Sequence, residues 1–251
     1  MLYLYYWDCF SATLFINQEV FVELTKYTLM HKNIPTIDMF INDKSGYIEI
    51  VGTLVSAEHL PIGISCKNDI VNEEELNEWW SERCIPANRE GFKQLFYSMN
   101  MNVRRNILTR CMGLSLSDQY WIKPANSDIK WSEVNFFENI FPEDMGNLLF
   151  GEIHSDPSLN LFSPDNTTDG CLKKRWKIID GKRCLIKAGT PPFHQQAFNE
   201  IIAAKIMSRL GIRHVPYSLI WRKNEPYSVC EDFITPETEL VSANQVIKSE
   251  T

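Results

Sequence analysis

Paired cysteines are missing from this 251-residue sequence. Its seven cysteines (Cys9, Cys66, Cys84, Cys111, Cys171, Cys184 and Cys230) are scattered, odd in number and form no CxxC pair. That argues against a disulfide scaffold or a zinc knuckle and suits a reduced, cytoplasmic setting. No run of about 18 apolar residues occurs, so no transmembrane helix is expected. Cation excess is lacking too: 25 Lys and Arg stand against 32 Asp and Glu, for a formal net charge of -7. A charge-driven grip on nucleic acid or an anionic membrane by the molecule as a whole is therefore not expected. There is no GxSxG elbow, no HExxH helix and no Walker loop, which removes the motif-borne hydrolase, metalloprotease and P-loop readings. The histidines, His31, His59, His154, His194 and His214, are dispersed and read as structural, not as metal ligands.

With 44% hydrophobic and 23% charged residues, the chain can bury the core of one or two domains. Residues 1–29 stand apart as an aromatic-rich extension, with no Lys or Arg before residue 22. Asp8 interrupts the run and no basic start precedes it, unlike a signal peptide. A partner-docking or edge strand, a buried strand pair, and an upstream extension before a start at Met30 all suit it; the last two are the simpler readings. Residues 30–157 read as a mixed α+β region. Short strands occupy 36–66, and Asn72 with Glu73, Glu74 and Glu75 opens a helix whose face carries Leu76, Trp79 and Trp80. Further helices are expected around Phe92, Leu95 and Phe96, and over Val103 to Cys111 up to Gly113. An aromatic-rich irregular stretch follows, and a boundary is expected in 156–168, where prolines and turn formers gather.

From Ser158 the pattern changes. Strands are expected at Ser158 to Phe162, Cys171 to Ile179 and Arg183 to Lys187, the last two joined by the hairpin turn Asp180-Gly181. A helix from Gln195 to Leu210 carries Phe198, Ile201, Ile202, Ile206 and Leu210 as its predicted core face, with Gly211 as C-cap. Strands Tyr217 to Trp221 and Tyr227 to Phe233 complete it. The fold class expected is therefore α+β, with residues 158–251 forming an antiparallel sheet plus one helix in the order of a protein-kinase small lobe. In that lobe a strand Lys grips the nucleotide phosphates and a helix Glu holds the Lys in place. Lys187 and Glu200 occupy those positions, since a Lys in an apolar strand needs a partner. A strand-end Lys and a solvated Glu are the plainer alternative. The basic cluster Lys173, Lys174, Arg175, Lys177, Lys182, Arg183 and Lys187 reads first as a solvated hairpin face, and second as a phosphate- or nucleic-acid-binding one, with ATP phosphates ahead of nucleic acid.

Several stretches together resemble the HipA-like serine/threonine protein kinases, in particular a bacterial branch of HipA-domain proteins. They are LSLSDQYWIKP (114–124), WSEVNFFEN (131–139), SPDNTTDGCLKKRWKI (163–178), LIKAG (185–189), FNEIIAAKIMSRLGI (198–212) and PYSVCEDFI (226–234). The resemblance implies a transferase that binds ATP and Mg²⁺ and phosphorylates a protein on Ser or Thr. It casts Lys187 as the phosphate-gripping lysine, Glu200 as its partner and Glu231 to Phe233 as the adenine-holding hinge. The loop Ser163 to Gly170 becomes the mobile phosphate loop, with Gly170 as its only glycine and Ser163, Thr167 and Thr168 as possible autophosphorylation sites. It also implies a toxin-antitoxin setting with a helix-turn-helix antitoxin-like partner. The sequence departs from the family after the hinge. Asp232 is its last aspartate, so no candidate for the catalytic or metal-binding aspartate follows, and the large lobe is expected to be absent. His154-Ser155-Asp156 mimics a catalytic loop but precedes Lys187 and is not read as one. The expectation is an ATP-binding part of a truncated kinase, inactive alone. The alternative is a non-catalytic module that pairs with a separately encoded large lobe or with the antitoxin-like partner.

Overall fold

The computed structural model describes residues 3–8, 11–16, 20–90, 92, 105–153 and 158–249. Five strands in chain order, β1 (Tyr3–Asp8), β2 (Ser11–Ile16), β3 (Val20–His31), β4 (Ile34–Asn42) and β5 (Ile48–Leu54), form an antiparallel meander. β3 is long enough to serve two neighbours on one side. Its first half pairs with β2 and its second half with a later strand, β8 (Tyr120–Pro124), while β4 lies along its other side. A small hairpin, β6 (Cys66–Lys67) and β7 (Ile70–Val71), leads into helix α1 (Glu73–Glu82). Asn72 caps α1 as expected, its Oδ1 accepting from the Glu74 and Glu75 amides at 3.0 and 3.2 Å. Leu76, Trp79 and Trp80 then pack onto Leu29, Ile37, Met39 and Ile41 of the sheet. Asn77 tightens this packing by bonding both the amide and the carbonyl of Ile48.

Helix α2 (Arg105–Arg110) buries Ile107 and Leu108 and ends before Gly113, whose φ is 64°. Of the two helices expected here, Phe92 is helical, while Leu95, Phe96 and Val103 lie outside the described residues. After β8 come α3 (Trp131–Val134) and α4 (Asp144–Leu149). The second sheet has the order β11-β12-β10-β9, with β9 (Lys174–Ile179), β10 (Lys182–Ala188), β11 (Ser218–Arg222) and β12 (Glu225–Glu231), all neighbours antiparallel. Helix α5 (Gln195–Arg209) crosses it, and α6 (Ala243–Ser249) follows. The α+β reading is correct at this level. The Asp180-Gly181 turn joins β9 to β10 with φ of 49° and 77°, the positive pair a tight hairpin requires. Among the described residues no helix is long and apolar enough to cross a membrane.

Three expectations need correction. Residues 158–162 do not form a strand, because side chains claim their main-chain groups: Asn166 Nδ2 donates to the Leu161 carbonyl, and the Asn160 amide donates to Asp144. The predicted core face of α5 is only partly its buried face: Phe198 and Ile201 are half-buried, but the rest of the row is not. Ala197 and Ala204 are its buried residues, whereas Ile202, Ile206 and Leu210 face outward. Finally, the chain on either side of residue 157 shares a core, since Trp176 of β9 packs with Trp121, Trp131 and Phe136. The motif His154-Ser155-Asp156 lies outside the described residues.

Candidate functional site

Strand β10 alternates. Cys184, Ile186 and Ala188 point into a small core with Tyr227 and Val229, which puts Lys187 on the opposite face. Register sets its neighbours there: Lys174 of β9 on one side and Ser228 of β12 on the other. Helix α5 brings Glu200 over this row. The Lys187 ammonium donates to Glu200 Oε1 at 2.9 Å and to the Tyr217 hydroxyl at 2.8 Å, and Ser228 Oγ donates to the other Glu200 oxygen. Burial lowers the Lys187 pKa, but the hydrogen bonds it donates to Glu200 and Tyr217 and the Glu200 charge outweigh that, so the group sits above its ordinary value. The lysine is therefore held charged. The entry to α5 depends on Gly189, because a Cβ there would fall 2.5 Å from the His194 backbone.

The ion pair thus joins two residues that the sequence singled out. Tyr217 and Ser228 complete it without any signal in the sequence, since only strand register and the path of the chain after α5 place them. Glu231 lies three residues along β12 from Ser228, about 10 Å away at strand spacing, and pairs at the surface with Lys182 at 2.7 Å. Phe233 is exposed, and the Asp232 amide between them donates to the Arg183 carbonyl.

The stretch expected as the mobile phosphate loop is, from Ser163 to Thr168, a buried turn. A 3₁₀ turn runs over Pro164–Thr167, and Ser163, Thr167 and Thr168 are all buried. Ser163 donates to Asp165, Thr167 to the Leu114 carbonyl and Thr168 to the Pro164 carbonyl. As placed, each of these hydroxyls is engaged in a buried hydrogen bond that a phosphoryl transfer to it would have to break. Arg89 anchors the end of the turn by donating to the carbonyls of Gly170 and Thr168. Gly170 itself has a φ of 94°, and Lys174 reaches across to the Asp169 carbonyl at 2.6 Å. Burial, with help from Arg89 and Lys187, lowers the Lys174 pKa to about 8.

Asp165, within this turn, gives a pH test. Burial pushes its carboxyl up to about 7, only partly offset by hydrogen bonds from the Trp176 amide and Ser163 and by the Arg89 charge. A folded-state pKa above the ordinary 3.8 means that folding favours the protonated acid. The resulting stability is full below about pH 4 and is lost as pH rises through about 7. Asp232, raised to about 6 by burial, adds a smaller decline over part of this window. Asp165→Asn is expected to flatten most of the decline, as read by urea unfolding at a series of pH values. A variant whose stability falls with pH as steeply as the parent's would contradict this assignment.

Other polar groups meet away from Lys187. His31 and His59, distant in sequence, approach with Nδ1 atoms 2.9 Å apart, and His31 Nε2 lies 3.6 Å from Glu239. Burial, then the His59 charge, lowers the His31 pKa. A cavity of about 740 Å³ opens between α1, the segment Ser115 to Asp118 and the segment Leu240 to Gln245. Among the described residues no group of three His, Cys, Asp or Glu is arranged to hold a metal ion. Neither a family model, nor a curated protein, nor a solved structure matches this chain.

Proposed function

We propose that β9–β12 and α5 form the nucleotide-phosphate-binding half of a HipA-like kinase fold. Lys187 would contact the α- and β-phosphates of ATP, with Glu200 holding it in place, and Tyr217 and Ser228 orienting the pair. The observation that carries this reading is the Lys187–Glu200 ion pair between a sheet strand and the following helix, held charged on a face beside a second lysine, Lys174. Gly170, Glu231 and Phe233 take the loop and hinge roles in this reading. Mg²⁺ would have to find further ligands, since residues 233–251 contain no aspartate. The reading is therefore ATP binding without appreciable phosphoryl transfer by this chain alone. Calorimetric titration with MgATP tests it: Lys187→Met is expected to weaken binding by at least about tenfold, the worth of a charge-assisted hydrogen bond. Equal affinity in the variant, with circular dichroism showing it folded, would remove Lys187 from the site.

The outward face of α5 favours a second reading, a non-catalytic module that pairs with a separately encoded large lobe or an antitoxin-like helix-turn-helix protein. A helix that turns Ile202, Ile206 and Leu210 to solvent is suited to being covered by another chain.

A further inference from the structure

We propose that the outer face of α5 docks a polypeptide helix that presents an apolar stripe edged by carboxylates. The inference rests on the binding-module reading and specifies the chemistry of the partner. Ile202, Ile206 and Leu210 are 55%, 52% and 66% exposed and recur every fourth residue, which lines them up along the helix. Exposed Phe193 and Ile212 stand just before and just after α5, and exposed Trp221 of β11 packs edge-on against Phe198 of the helix. Single exposed apolar side chains are ordinary, but an aligned row on one helix is the form that helix-in-groove recognition takes.

Charge selects the occupant. Lys205 and Arg209 lie three and seven residues after Ile202, so they run along one edge of the stripe, and Arg213 follows the helix. All three are exposed and form no ion pair among the described residues, while Glu200, the one acid on α5, is turned to Lys187. This edge is cationic on a chain whose formal net charge is -7. A second copy of the chain would set the same cations against each other. An anionic membrane would attract them, but three fall short of the clusters of about four to eight that hold proteins to such surfaces. An apolar stripe flanked by Asp or Glu satisfies both the exposed aliphatic row and its charged edge.

The probe is a synthetic amphipathic helix with Leu at every fourth position flanked by Glu, compared with a twin flanked by Lys, titrated against the full chain by fluorescence anisotropy. The Glu peptide is expected to bind at least about tenfold more tightly than its twin. Ile206→Ser with Leu210→Ser should weaken it by at least about tenfold, and Lys205→Glu with Arg209→Glu should reverse the preference between the two peptides. These positions are exposed, so the variants should keep the parent circular dichroism. Binding that needs Ile206 and Leu210 but ignores flanking charge would overturn the partner chemistry and leave the binding-module reading standing. Several outcomes would overturn the docking assignment itself: binding of neither peptide, binding indifferent to the α5 variants, self-association abolished by the Ser variants, or cosedimentation with phosphatidylserine vesicles.

Discussion

A chain that begins at Met30 is expected to lose the cooperative unfolding transition of the β1–β5 sheet. Such a chain lacks all of β3 but its last two residues, and β3 pairs with β4 along one side and with β2 and β8 along the other. Leu24 and Leu29, both 0% exposed, would leave with it. Truncating one buried Leu to Ala costs about 2–5 kcal/mol, so removing two whole residues and their ladder approaches the 5–15 kcal/mol that holds a typical domain together. The packing of α1 would fail next, because Trp79 and Trp80 rest on the face that Leu29 shares with Ile37 and Met39. Near-ultraviolet circular dichroism and urea unfolding followed by tryptophan fluorescence measure this directly. A Met30-start chain with the full-length midpoint and amplitude would show that β3 is dispensable. The aromatic run that read from sequence as either strand or extension is, in its main chain, β1, β2 and the start of β3.

Arg83→Met is expected to cost about 3–5 kcal/mol, the scale for stripping one partner from a largely buried ion pair. The guanidinium donates to both oxygens of Asp118, at 2.6 and 3.0 Å, and to the carbonyls of Gly113 and Tyr120. It also lies over the Trp79 ring at 4.7 Å. Its side chain is 7% exposed and that of Asp118 15%, so solvent screens the pair weakly. Without Arg83, the Asp118 carboxylate keeps the Tyr120 amide but loses its cation, and the Gly113 carbonyl loses its donor. Adding Asp118→Asn to Arg83→Met should recover part of the loss, because the stranded charge goes with it. Thermal and urea unfolding of the two single variants and the double variant form the cycle. A loss for Arg83→Met of under about 1 kcal/mol, the scale of an exposed pair, would mean that the buried network contributes no more than a surface one.

What could be read in advance follows how local each feature is. Asn72 sits beside the amides it caps, so α1 was legible within four residues. Residues 158–162 look extended in sequence, yet their main chain is claimed by Asp144 and Asn166, which sequence alone does not bring near. The three candidate hydroxyls of the 163–170 loop look mobile for the same reason, since Leu114 and Trp176, which bury two of them, arrive from other elements.

By itself the sequence determined where the Asp180-Gly181 hairpin turns, where α1 starts and which Lys and Glu are available to each other. Backbone conformation and capping depend on a few adjacent residues, and Lys187 and Glu200 are only 13 positions apart. Tertiary structure alone decided which side of α5 meets the sheet. Apolar periodicity favours Ile202, Ile206 and Leu210, but Glu200 has to reach Lys187, and that rotation turns Ala197 and Ala204 inward, three residues before and four after it. The same holds for the meeting of His31 with His59 and of Arg83 with Asp118. A charge inside a fold is costly until it meets its partner, and only the packed chain establishes where that partner lies.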